Sequence, residues 1–170
     1  MAISKVNFNS LNVTPSASKF LAWDGDADAL AAADIGGALT LISTSTASSS
    51  ASLSITSGID STYKEYIFKF INIHPATNNK ELTFNLSIDG GSNYNVTKTT
   101  AVHIHQHGED DSNANSEYST ERDLAQGTGY QKICKDLGNG NDESLSGTLH
   151  LFEPSSTTFV KHFITRTSSY

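Results

Sequence analysis

A single cysteine, Cys134, among 170 residues leaves this chain no disulfide to close within itself. Clustered basic charge is missing as well. Eleven Lys and Arg are scattered among eighteen Asp and Glu, for a formal net charge of −7. A phosphate backbone asks for a basic footprint, so nucleic acid is not an expected partner. No apolar run approaches the length of a membrane span, and the opening MAISKVNFNSLNV lacks the apolar core of a signal peptide. The expectation is a soluble protein made in a cytoplasm, with no membrane partner. The glycosylation-type triplets at Asn12, Asn85 and Asn95 carry no meaning without a secretory route. No G-x-S-x-G, phosphate-binding glycine loop or H-E-x-x-H is present, so neither an enzyme nor a cofactor is expected.

Apolar residues make up 36% and charged residues 17%, both low for a globular chain, and Ser, Thr, Asn and Gly fill the difference. Such a mix suits an all-β protein with wide solvated faces and many turns. Residues 1–37 read as an N-terminal anchoring arm. Phe8, Leu11 and Val13 are spaced like a short extended segment that Pro15 interrupts. In WDGDADALAAADIGG, Asp24 or Asp26 could cap one or two helical turns running through Ala33 and ended by Gly36-Gly37.

From Ala38 the period is two. Leu39 and Leu41, then Ala51, Leu53 and Ile55, alternate with Ser and Thr as half-buried strands would. Tyr66, Phe68 and Phe70 share one face and Ile67, Ile71 and Ile73 the other, which predicts a central strand covered on both sides. His74-Pro75-Ala76 ends it. Leu82, Phe84, Leu86 and Ile88 make the next strand, and Asp89 to Asn93 turn it into Tyr94–His107. The acidic stretch Gly108–Ser119 reads as a loop. Asp123–Leu137 is ambiguous: Leu124, Ile133 and Leu137 suit a short helix that Gly127 and Gly129 weaken. Leu145, Leu149 and Leu151 alternate, as does Phe159–Arg166. About eight strands at ten-residue spacing predict an antiparallel β-sandwich, jelly-roll-like, over residues 38–170. Ending at Ser168-Ser169-Tyr170, straight after a strand, the chain suggests a docked terminus or further strands downstream.

Three places could carry chemistry. His103, His105 and His107 project from one face of a strand, a row of imidazoles able to ligate a metal if another strand or other copies complete the shell; the plainer reading is a solvated face. Ser87-Ile88-Asp89-Gly90-Gly91-Ser92-Asn93-Tyr94 fits the Asp-box hairpin, in which the aspartate ties down the turn and the aromatic packs beneath it. Cys134 lies near Lys132 and Lys135, which could activate its thiol, though burial would leave it inert. Asp24, Asp26 and Asp28 open like a calcium loop. Ala29 and Ile35 then stand where that loop needs glycine and glutamate. The acidic run Glu109-Asp110-Asp111 suits a solvated loop, and only the bare presence of Glu109 and Asp111 favours a glycan depolymerase.

The stretch SSSASLSITSGIDSTYKEYIFKFINIHPATNNKELTFNLSIDGGSNYN resembles small β proteins encoded by marine and cyanobacterial tailed phages. DLAQGTGYQK, LGNGNDESLSGTLHLFEPSSTTFVKHF and the W-D segment at Trp23 extend the likeness over most of Leu39–Arg166. It implies a virion structural component of tail-fibre, head-fibre or capsid-decoration type. Such a protein assembles with copies of itself, as a homotrimer, and attaches to other virion proteins, capsid or tail, through its N-terminal segment. No catalytic residue comes with the resemblance. The alternative is a module binding host surface glycan through loops Gly108–Ser119 and Leu137–Ser144, with Tyr118 and Tyr130 stacking on sugar rings.

Overall fold

A computed structural model of the chain describes residues 19–23, 30–34 and 39–170. The chain divides into two units, Met1–Thr44 and Ser45–Tyr170. In the first, β1 (Lys19–Trp23) and β2 (Leu30–Asp34) form an antiparallel hairpin, with Trp23 opposite Leu30 and Lys19 opposite Asp34. The helix expected through Ala33 is therefore replaced by a strand. A few alanine-rich residues cannot nucleate an isolated helix, whereas a facing strand supplies hydrogen bonds at once. Phe8 to Pro15, the Asp24-Asp26-Asp28 triplet and Gly36-Gly37 lie outside the described residues.

The second unit carries β3 (Glu65–Ile73), β4 (Thr83–Phe84), β5 (His103–His107), β6 (Ala114–Tyr118), β7 (Gln131–Lys132), β8 (Leu145–Phe152) and β9 (His162–Ser169). They form a three-stranded sheet in the order β3-β8-β9 and two ribbons, β4-β7 and β5-β6, all antiparallel. The all-β class holds, with no helix among the described residues and sheets that are separate and small. Asp123–Leu137 contains the short strand β7 rather than a helix, and β6 occupies much of the stretch expected to be a loop.

The strand expected to be central lies at an edge. β3 bonds only to β8, while β8 is flanked on both sides. Both faces of β3 look apolar because it carries a bulge. Phe70 pairs with Gly147 and Ile73 with Leu145, so three steps on β3 match two on β8. Asn72, at φ 51°, absorbs the extra residue, and its N–H is bonded by Ser146 Oγ at 3.1 Å. Beyond the bulge the alternation switches, bringing Phe70 and Ile73 to the same core while Ile71 stays 70% exposed.

That core lies on the inner face of the three-stranded sheet. Tyr66, Leu149 and Leu151 are buried there with Phe68, Phe84, Leu86 and Phe163 packed around them. Cys134, Leu137 and Leu145 continue it with Ile73 and Leu82, and Phe70 touches both clusters. Phe84 meets Phe163 edge to face at 5.0 Å, joining the β4-β7 ribbon to the sheet. Gly147 sits in the same inward row as Leu145 and Leu149. A Cβ there would stand 2.4 Å from Arg166 O and 2.8 Å from Thr167 Cα, so only glycine lets β9 pass this close.

Polar contacts hold the loop-rich part. Arg122 is only 10% exposed and bonds Glu81 at 3.0 Å, and Glu81 also takes Lys132 at 2.9 Å. Gln131 is buried, donating to the carbonyls of Arg122 and Lys132 and accepting from the Thr100 hydroxyl.

The half-buried strands expected around Leu39–Leu41 and Ala51–Ile55 do not form. Residues 39–58 are irregular and almost wholly exposed. Among the described residues no strand pairs with them, and an unpaired strand leaves its backbone groups to water.

Two substitutions test this framework by chemical denaturation. Gly147→Ala is expected to lower stability by about 1–3 kcal/mol through overpacking against β9. Glu81→Ala, which leaves the largely buried Arg122 guanidinium only its longer contacts to Asp136 at 3.7 Å and Glu121 at 3.9 Å, is expected to cost about 1–3 kcal/mol.

Candidate functional site

The Asp-box turn is assembled as its residue types predict. Ser87 Oγ donates to Asp89 Oδ1 at 2.6 Å and accepts the Gly91 N–H at 2.9 Å. Asn93 donates to both Asp89 oxygens, from its backbone at 2.9 Å and its side chain at 2.6 Å. Gly91 has φ +90°, and a Cβ on it would lie 2.8 Å from Thr56 Cγ2. These bonds, the Ser87 hydroxyl first and then Asn93, hold the Asp89 carboxyl down at about 2. Every one of its partners belongs to the turn, so the arrangement is structural. Nearby, buried Lys98 donates to Asn85 Oδ1 at 2.5 Å and Val96 O at 2.7 Å, and burial pushes its ammonium below the usual lysine range.

Cys134 is buried and its Sγ accepts the Leu82 N–H at 2.9 Å. Burial pushes the thiol up, away from the reactive range. The neighbouring lysines are engaged elsewhere, Lys132 on Glu81 at 2.9 Å and Lys135 near Glu117 at 3.9 Å.

The three histidines do share one face of β5, and all three are exposed. Across the ribbon they meet Tyr118, Ser116 and Ala114. His103 tilts against the Tyr118 ring at 5.4 Å, and His107 Nε2 lies 3.1 Å from Asp111 Oδ1. Alternate residues on a strand stand roughly 6.6 Å apart, within reach of a two-imidazole chelate. His103 and His107 stand about twice as far apart, so the three do not close on one ion along a flat strand. Among the described residues no group of three or more His, Cys, Asp and Glu is arranged to hold a metal ion. A metal at His103, His105 and His107 would need ligands beyond the described residues of this chain.

The acidic stretch closes the β5-β6 hairpin. Gly108 N–H donates to Asn113 O at 2.7 Å, and Asp110 Oδ1 accepts from Ser112 twice. Tyr118 donates its hydroxyl to Asp123, which raises its pKa, and Tyr118 and Tyr130 are both exposed.

Two features were not foreseen from the sequence. One is an open groove of about 360 Å³, lined by Asp60, Tyr63, Lys64, Glu153, Phe159 and several Ser and Thr hydroxyls. Phe159 is 70% exposed there. Of its residues, Asp60 donates its N–H to Tyr66 Oη at 3.0 Å, and an exposed ion pair joins Lys64 to Glu153 at 2.7 Å. Its residues come from strand ends 90 positions apart, so no local pattern announced it. The second is the outward face of the β3-β8-β9 sheet, where Ile67, His150 and Ile164 form one row and Ile164 is 63% exposed. Alternation puts Ile67 on the face opposite Tyr66, but that face was expected to be covered, and the strand beside it could not be inferred.

No protein-family model, curated protein or solved structure matches this chain.

Two measurements check the local chemistry. Asp89 is expected to titrate near 2 by carboxyl NMR. The fold favours its ionised form, so its contribution is complete above the ordinary value of 3.8 and is lost as pH falls through about 2. Cys134 is expected to resist a thiol reagent in the folded protein at mildly alkaline pH and to react fully once denatured; rapid labelling of the native chain would contradict its burial.

Proposed function

We propose that this chain is a structural subunit of a tailed-phage virion, an appendage or capsid-decoration protein that assembles with copies of itself and attaches through its N-terminal segment. The observation that carries the reading is apolar surface the folded chain leaves uncovered. Within Ser45–Tyr170, Leu53, Ile55, Ile71, Ile88, Phe159, Val160 and Ile164 are all exposed large hydrophobics. The buried hydrophobics among the described residues are only Tyr66, Ile133, Cys134, Leu137, Leu145, Leu149 and Leu151. Where exposed apolar groups gather, as Tyr63 and Phe159 do at the groove, they support contact with another molecule. Among the described strands the outer edges of β3 and β9 are also unpaired, and edges of this kind are covered by partners in assembled proteins. Assembly would complete the second layer of a jelly-roll-like sandwich over the small sheets. The phage resemblance of Ser48–Asn95 and of the segments around β8 supplies the setting, a virion put together in the host cytoplasm, with three copies as the expected number.

A second reading is favoured by the groove at Tyr63 and Phe159. Exposed aromatic faces beside hydroxyl groups suit the apolar and polar sides of a sugar ring, so the appendage would also bind host surface glycan.

Light scattering on the purified full chain is expected to give a multiple of 18.2 kDa, three copies on the resemblance. A stable monomer without affinity for virion proteins would count against a structural role. A glycan array is expected to yield ligands lost on Phe159→Ala.

A further inference from the structure

We propose that the outward face of the β3-β8-β9 sheet is a contact between two copies of this chain, related by a two-fold axis running across its strands. The inference rests on the self-assembly proposed above and names the surface and the symmetry.

The register of the ladders lays the face out in rows. Ile67, His150 and Ile164 stand side by side in the middle. The row towards one end carries Glu65 on β3 and His162 on β9, and the row towards the other carries Lys69 on β3 and Arg166 on β9. The face thus has isoleucines on either side of His150 at its centre, an acidic corner and a basic end. Ile164 in that central row is 63% exposed.

Any two-fold axis in the plane of the face gives an isologous contact, and its two limiting directions, along and across the strands, differ in which charges meet. With the axis along the strands, each end row would meet itself. Lys69 and Arg166 of one copy would then face Arg166 and Lys69 of the other, two like-charge encounters. With the axis across the strands, the end rows exchange while each strand faces its own copy. Glu65 then stands over the other copy's Lys69, twice by symmetry, and Ile67 and Ile164 close on their own counterparts. With the histidines neutral, only this arrangement sets opposite charges together, Glu65 over Lys69, while His150 meets its own counterpart between the isoleucines and His162 meets Arg166. Glu65 is already steadied for it: its Oε1 lies 2.6 Å from His150 Nδ1. A two-fold contact is compatible with a three-fold one, because pairing on this face would join two trimers.

The test is sedimentation equilibrium on the full chain and on four variants, each checked by thermal melting. Ile164→Asp is expected to abolish pairing on this face while melting close to the parent, because Ile164 is exposed in the single chain. Glu65→Lys and Lys69→Glu, each alone, should weaken pairing about tenfold by setting like charges opposite one another. The double exchange E65K/K69E in one chain should restore it. Three outcomes overturn the proposal: assembly unchanged by Ile164→Asp, single charge variants that pair like the parent, or a double exchange no better than either single. A parent chain that stays monomeric at every concentration would instead sink the self-assembly reading itself.

Discussion

One strand bonded on both sides organises the second unit. β8 holds β3 and β9 in register, and from its inner face Leu145, Leu149 and Leu151 enter the core. Everything else that is buried is placed by reference to that row. Phe70 bridges the two clusters because it lies opposite Gly147, where no side chain intervenes. Phe163 reaches Phe84 because β9 follows β8 residue for residue. The β4-β7 ribbon has only two residue pairs of ladder, so its position depends on the apolar side chains it sets against the sheet more than on its own hydrogen bonds.

Polar chemistry takes over where apolar residues run out. The connections between β4 and β8 bury Gln131, Ser119 and Lys98, each with partners, and set Arg122 between acidic groups. A buried guanidinium among carboxylates specifies one arrangement of loops more than it adds stability. The functional groups that attract attention in the sequence fall on the other side of this division. The histidines of β5, the acidic turn and Tyr130 are all exposed.

How much could be read in advance follows from what each pattern depends on. Turns are local, and the Asp box was legible to the atom: serine, aspartate, glycines and asparagine each take the part their chemistry allows. The inward row of β8 was legible because alternation there is unbroken. β3 was misplaced to the middle of a sheet because a bulge at Asn72 imitates a strand covered on both faces. Residues 39–58 carry strand alternation without a strand, since pattern states what a segment could pair with and not whether a partner is at hand. The groove and the outward sheet face were not legible at all. Both are built from residues that only the tertiary register brings together.

Gly147 has a consequence for tracing remote kin of this chain. Backbone of β9 shuts any side chain out of that position, whereas Ser146, whose hydroxyl takes the Asn72 N–H, and Thr148 on either side point to the opposite face. Distant homologues should therefore keep the skeleton Leu-x-Gly-x-Leu-x-Leu over 145–151 long after the Ser/Thr tracts have diverged beyond recognition. A profile weighted on those four positions, with a second aromatic-rich strand upstream, would discriminate better than overall identity.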